Sequence, residues 1–486
     1  MADDDAPPAA EKPAPTDDLV TTTHTLLTPS GELAYTANAG RVVLRTEKHT
    51  DGKFDGHEPH AEVFLVAYTL DGADPATRPV TIAFNGGPGS SSVWLHLGLL
   101  GPRRVVMGDA GALTPPPWGL TDNAETLLKD SDLVFIDPVS TGYSRTVTGG
   151  KPADFHGYGP DVETIGEVIR LWVTRNERWL SPKFLAGESY GTLRAAALAE
   201  HLQNRHGMFH NGLMLISSVL DMGTIRFTEG NDRPYPLFLP TYAAIAHHHG
   251  RHEGRSLLDV LADAEEFAAG EYSWALARGN RLPDADLDRV ASRLAQLSGL
   301  DEAYVRRVRL RIEHQRFFRE LLRDTDRTVG RIDGRFTGWE DDGGGEAISY
   351  DPSIAAITGP YTAAFNSHVR TVLNYESDLA YEVLTGRVQP WSYREFEGRA
   401  VSVVGKLSAA MRANPHLRVH VACGYHDGAT PYFAAEQVLA QLPIPAELRN
   451  RIEVKYYEAG HMMYVHEPSR IAQSADLSAF VTADGG

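Results

Sequence analysis

From Val80 onward, apolar residues come in short, nearly unbroken runs: VTIAF, DLVFIDP, KFLAG and LMLISSV, each ending in or followed by a turn-forming or polar residue. Runs of this kind suit strands buried on both faces of a sheet, because a strand with one wet face alternates instead. Between the last three lie DVETIGEVIRLWVTRNERWL and TLRAAALAEHLQNRH, whose apolar positions recur at helical spacing. Alternating strands and helices predict a mostly parallel sheet with helices on both faces, and in such sheets the chemistry gathers at the carboxyl ends of the strands. Ahead of this region, ELAYTANAGRVVLRTE and AEVFLVAYTL alternate polar and apolar residues and predict antiparallel strands, separated by a loop, HTDGKFDGHEPH.

From about Met222 the alternation stops. RSLLDVLADAEEFAAGEYSWALARG, DADLDRVASRLAQLSG and DEAYVRRVRLRIEHQRFFRELLRDTDR are charged and helical in pattern. Sheet signals return with RVHVACG and RIEVKYYEAG, and PSRIAQSADLSAFV predicts a terminal helix. The expected organisation is an α/β core in two pieces, residues 19–221 and 394–486, flanking a mainly helical cap over 222–393. The first 18 residues, MADDDAPPAAEKPAPTDD, form an acidic Pro/Ala-rich tail expected to be disordered.

Composition adds exclusions. Among 486 residues, 42% hydrophobic and 23% charged content is that of a folded globular chain. A net charge of -18 repels phosphate backbones, so nucleic acid is not expected as a partner. No apolar run reaches the ~18 residues of a spanning helix, and the first residues lack the basic-then-apolar pattern of a signal peptide. With Cys423 the one cysteine, no intrachain disulfide can form. The expectation is a cytoplasmic protein without a membrane partner, with a periplasmic or secreted location left open.

The chemistry centres on Gly187-Glu188-Ser189-Tyr190-Gly191, a G-x-S-x-G with strand KFLA before it and a helix after it. A sharp strand-to-helix turn needs small neighbours, which the glycines supply, and it lifts the Ser189 hydroxyl above the sheet. The same turn sets the Tyr190 amide at a helix start, where it can face a developing oxyanion. The plainer alternative is a serine that only caps the helix. FNGGPGSSS, ending strand VTIAF, offers Gly87 as the second oxyanion donor; on its own it is a turn. A nucleophilic serine needs a base and the base an acid, in the chain order Ser, acid, His. Asp427 and His461 each follow a strand in that order. His461 is favoured because Gly460 lets the loop turn off its strand; His466 is the rival base. Asp221 is the rival acid, and Asp137 precedes the serine and breaks the order. HHHGRH, with His247, His248, His249 and His252, lacks metal-ligand spacing, as does HEPH at His57, so neither metal nor cofactor is expected.

FNGGPGSSS, FIDPVSTGYSR, LAGESYG, GYHDGATPY and GHMMY, in that order, resemble the serine carboxypeptidase family. The resemblance implies an α/β-hydrolase fold with an inserted helical cap, and cleavage of C-terminal residues from peptides through an acyl-enzyme. By position it makes Ser189, Asp427 and His461 the triad, Gly87 and Tyr190 the oxyanion hole, and Asn85 and Glu188 the holders of the substrate's terminal carboxylate. Glu188 beside a bound carboxylate has to keep a proton, which implies activity favoured at acidic pH. Three positions depart from the family: Ala83 where it usually has Trp, Ser90 where it has Cys, and Leu99 where an acidic residue helps bind the terminus. The absent cysteines fit a bacterial-type member; Leu99 removes one expected contact to the terminus. An acyltransferase or a small-molecule esterase on the same triad, and a non-catalytic binding protein of the same fold, are the alternative readings.

Overall fold

The computed structural model describes residues 14–29 and 31–483. In chain order the central sheet uses β1 (Val20–Thr28), β2 (Gly31–Thr50), β3 (Lys53–Leu70), β4 (Val80–Phe84), β5 (Asp132–Ile136), β6 (Lys183–Glu188), β7 (Gly212–Ile216), β8 (Arg418–Gly424) and β9 (Ile452–Tyr457). Their order across the sheet is β1-β2-β3-β5-β4-β6-β7-β8-β9, and a two-residue strand, Arg145–Thr146, pairs with β3. The first pairings are antiparallel. From β5 to β9 every pairing is parallel. The chain thus enters as a meander and then crosses over repeatedly, which requires helices on both faces. The longer helices include α1 (Tyr158–Arg175), α2 (Tyr190–His206), α3 (Pro234–His248), which belongs to the insertion, α4 (Pro352–Thr371), α5 (Val404–Ala413) and α6 (Glu467–Thr482). This is an α/β-hydrolase fold: a mixed, mostly parallel sheet with a strand-turn-helix carrying a serine at its centre.

Strand burial explains the pattern. β4, β5 and β7 are buried at every residue. On β3, Val63, Leu65 and Ala67 join one apolar cluster, while Phe64, Val66 and Tyr68 join the other, as the two-residue period of a strand demands. The first cluster takes in α1, α2 and α5, the second α4 and α6. A third cluster, from Phe238 to Val329, is built from residues of the insertion. Helix α4 sits within the stretch expected as cap, yet its Ile357, Tyr361, Phe365 and Val369 pack in a core cluster. Buried between α1 and α2, Arg194 meets Asp161 through two hydrogen bonds of 2.8 and 3.0 Å and donates a third, 2.7 Å, to the Asn85 carbonyl. The pair ties two helices to the loop after β4.

Three local expectations change. The segment HTDGKFDGHEPH is not a loop: β2 and β3 run on as an exposed hairpin that turns at Asp51-Gly52. Backbone pairing sustains strands whose side chains are mostly polar, so hydropathy alone hides them. The long helical stretch after Asp301 breaks into Glu302–Arg307 and His314–Glu320, because Arg309 and Leu310 both take positive φ between them. Between the helices of the insertion lies a small hairpin, Arg327–Val329 with Thr337–Trp339, whose loop reaches the site described below. Residues 1–13 of the expected tail lie outside the described residues; Asp17 and Asp18, at its end, are held by Arg175, Arg41 and Tyr375. Among the described residues, no helix is long and apolar enough to cross a membrane.

Candidate active site

Ser189 stands between β6 and α2 with φ 60° and ψ -127°, a conformation that costs a non-glycine residue of order 1–3 kcal/mol and persists only where the surroundings enforce it. Its side chain accepts no bond from the amides of α2, so it does not serve as a helix cap. The flanking glycines are required by contact. A Cβ on Gly187 would lie 2.1 Å from the Gly191 carbonyl oxygen, and one on Gly191 would lie 2.7 Å from the carbonyl of Phe84. The loop after β4 presses on the same turn: a Cβ on Gly86 would meet the Tyr190 amide nitrogen at 2.4 Å. The backbone of Gly86-Gly87 and the first amide of α2 therefore abut.

Asp427 follows β8 and His461 follows β9, and the two side chains meet: His461 Nδ1 is 2.7 Å from Asp427 Oδ2. A carboxylate only accepts, so Nδ1 is the donor and Nε2 is the nitrogen able to take a proton. Asp427 is fully buried and fixed by the amides of Ala429 and Thr430 on Oδ1, at 2.8 and 3.0 Å, and by the Thr430 hydroxyl on Oδ2, at 2.8 Å. The histidine backbone is clamped as well. Its amide donates to the Ile332 carbonyl at 2.6 Å, and its carbonyl accepts from the Ser217 hydroxyl at 2.6 Å. Burial alone would lower the His461 imidazole, but the Asp427 carboxylate and Glu188 outweigh it and hold the group above its ordinary value.

Ser189, His461, Glu188, Tyr190, Asn85 and Gly87 all line one cavity of about 180 Å³. Within it Glu188 is 3% exposed. The Asn85 side-chain amide donates to Glu188 Oε1 at 2.8 Å and the Tyr464 hydroxyl to Oε2 at 2.7 Å. Burial pushes this carboxyl up to about 7, against the lowering influence of His461 and of the two hydrogen bonds. Much of the remaining wall is apolar, formed by Val219, Met222, Ile225, Ile332 and Ile354 among others.

The rival residues are occupied elsewhere. Asp221 caps the turn after it through the Gly223 amide, at 2.8 Å, and pairs with Arg233. His466 bonds Ser469 at 2.7 Å, and Asp137 accepts from the Ser92 amide at 2.8 Å. Gly460 has a different role from the one expected: its φ is not positive, and it is small because Asp333 of the inserted hairpin loop packs on it, 2.4 Å from where a Cβ would be. His247, His249 and His252 each lie within hydrogen-bond reach of a backbone carbonyl. Among the described residues no group of three or more His, Cys, Asp or Glu could hold a metal ion. Leu99 is buried in the core cluster and does not line the cavity, whereas Ser90 does, accepting from Trp94 Nε1 at 2.8 Å. Sequence reasoning passed over Thr430, Ser217, Tyr464 and Arg331. Of these only Tyr464 and Thr430 carried a signal, as members of GHMMY and GYHDGATPY.

Fold and site together define a serine-centred α/β-hydrolase architecture. Residues 47–222 match the profile of the family described as serine carboxypeptidase, so the resemblance to that family holds over the stretch carrying FNGGPGSSS, FIDPVSTGYSR and LAGESYG. "Serine carboxypeptidase-like 33" of Arabidopsis thaliana is 28% identical over 180 residues, 35% of this chain and 36% of that protein. "Carboxypeptidase Y homolog A" of Ajellomyces dermatitidis is 29% identical over 147 residues, 30% of this chain and 24% of the relative. The matches thus span about a third or less of these relatives. Asp427 and His461 lie outside the family match and join the site through the fold. Among solved structures, a proline iminopeptidase of Mycobacterium smegmatis superposes with a TM-score of 0.38 at 14% identity, covering 90% of this chain and 97% of that one. An alpha/beta hydrolase fold protein from Chitinophaga pinensis gives 0.31 at 10% identity, covering 91% and 98%.

Proposed function

We propose that the protein is a serine-type carboxypeptidase that removes C-terminal residues from peptides. What supports this most is the buried Asn85–Glu188–Tyr464 cluster, which shares one cavity with Ser189 and with a histidine bonded to Asp427. Ser189 Oγ attacks the scissile carbonyl carbon while His461 Nε2 takes its proton. The amides of Gly87 and Tyr190, the latter at the start of α2, receive the developing negative oxygen. His461 then passes its proton to the leaving amine, and water, activated by the same imidazole, releases the acyl group.

Glu188 makes the cluster selective for a free terminus. When it is protonated it donates to the substrate's carboxylate; when it is ionised the two negative groups repel. The proton also couples to the base. Glu188 anionic with His461 cationic holds as many protons as Glu188 neutral with His461 neutral. A carboxylate docking at Asn85 favours the second arrangement, which is the one with a working base. The sign follows from a Glu188 value of about 7: the protonated carboxyl that can donate to a terminal carboxylate is populated below it and lost as pH rises through it. KM for a free-acid peptide therefore climbs above that value, by up to about tenfold per pH unit, while KM for the matching ester without a terminal carboxylate stays level. Glu188→Gln flattens the free-acid profile. Parallel profiles for the two substrates in the parent protein overturn this role.

Digestion of peptides followed by mass spectrometry tests the activity itself. Stepwise shortening from the C-terminus, prevented by amidating that end, is the expected result. Internal cuts, or cleavage of small esters alone, point instead to another hydrolase or acyl-transfer chemistry on the same three residues.

A further inference from the structure

The charge distribution around the cavity is uneven. Its lining holds the carboxyl of Glu188, the imidazole of His461 and one permanent cation, Arg331, set among Ile225, Ile332, Ile354 and Met462. Arg331 belongs to the loop of the inserted hairpin, and its main chain is fixed at both ends. The amides of Arg331 and Ile332 donate to the Asp351 carboxylate at 3.1 and 3.4 Å, and the Ile332 carbonyl receives the His461 amide at 2.6 Å. The side chain is held far less firmly. The side chain is 37% exposed, and its ion pair with Asp351 is an Nε–Oδ2 approach of 3.9 Å, too long for a hydrogen bond. Asp351 is already engaged by backbone: besides the two loop amides it accepts from the amides of Ser353 and Ile354, at 3.0 and 3.4 Å, capping α4. A guanidinium has five N–H donors, and among the described residues those of Arg331 find no protein acceptor at hydrogen-bond distance.

In a chain of net charge -18, such a group in an apolar-walled cleft is an anion receptor waiting for its partner. It is also separate from the Asn85–Glu188–Tyr464 cluster. Arg331 adjoins Ile332, whose carbonyl receives the His461 amide, so its loop enters the cavity beside the imidazole, whereas Asn85 follows β4 and Glu188 ends β6.

We infer that Arg331 is a specificity-determining residue that binds an acidic side chain flanking the scissile bond, making peptides with Asp or Glu at that position the substrate class. This rests on the peptidase reading above. The low polarity of the surrounding wall makes one loosely paired cation decisive, because a carboxylate entering there is paired while a neutral amide of the same shape gains little.

The test uses the full-length protein and N-blocked dipeptides in four forms: Glu or Gln at the last position, and Glu or Gln at the position before it. At one of the two positions kcat/KM for Glu exceeds that for Gln by about tenfold or more. The Arg331→Gln variant brings that ratio close to one, and Arg331→Lys, which keeps the charge but not the planar fork, retains part of it. Thermal unfolding of both variants at the parent temperature excludes a folding defect; the ratio, taken within each protein, cancels any general loss of activity. Hydrolysis of neutral dipeptides with no Glu preference at either position, or a preference untouched in Arg331→Gln, overturns the inference and leaves the peptidase reading standing. If none of the dipeptides is cleaved while Ser189 still reacts with a fluorophosphonate, both fall.

Discussion

Under the proposed mechanism, Ser189→Ala is expected to lower kcat for peptide hydrolysis by about 10⁶-fold, leaving only what the oxyanion donors and binding supply. The magnitude follows from the division of labour at the site. Without Oγ there is no acyl-enzyme, and His461, held by Asp427 on one nitrogen, has no hydroxyl to deprotonate with the other. Alanine keeps the Cβ, so the positive-φ turn at residue 189 carries the same strain, and the unfolding temperature is expected to match the parent. Steady-state kinetics on a chromogenic ester together with stoichiometric fluorophosphonate labelling provide the check: one mole of label per mole of parent chain and none on the variant. Labelling at another residue, or turnover by the alanine variant within tenfold of the parent, removes Ser189 from the chemistry.

Asp427→Asn is the second large effect, a fall of about 10⁴-fold in kcat. Two amides, from Ala429 and Thr430, donate to Oδ1, so an asparagine settles with its carbonyl oxygen on that side. Its NH₂ group is then directed at His461 Nδ1, where it can only donate. The imidazole must answer by placing its proton on Nε2, which is the nitrogen that has to accept from Ser189. Geometry is preserved while the tautomer is wrong, so the loss appears in kcat far more than in KM. An unchanged kcat in the variant means that the contact between Asp427 and His461 does not orient a base. A variant that fails to fold is recognised by its lost thermal transition, and Asp427→Glu then serves as the second probe.

Much of the core architecture was legible because it is local. The nearly unbroken apolar runs of β4, β5, β6 and β7 are what strands covered on both faces require, and each is buried throughout. The turn at Ser189 was legible for the same reason: glycines two residues to either side, a strand before and a small-residue helix after specify the bend without help from elsewhere. The β2–β3 hairpin beyond Leu44 was not, since its exposed side chains carry no hydropathy signal and the register is set by backbone pairing with a neighbour. Nor was the break at Arg309 and Leu310, where packing of the inserted helices overrides a continuous helical pattern.

The sequence by itself determined which residue types could perform acyl chemistry, their order along the chain and the strands that end beside them, because strand, turn and helix preferences act over a few neighbouring positions. Only the tertiary structure decided that Asp427, and not Asp221, meets His461, that Tyr464 and Asn85 close on a Glu188 whose burial raises its carboxyl to about 7 against their hydrogen bonds, and that a hairpin loop of the insertion supports the histidine and presents Arg331 to the cavity. Those contacts join residues from 34 to 276 positions apart. Their energies come from burial and from fields inside the folded chain, and neither exists until the sheet has brought the strand ends together.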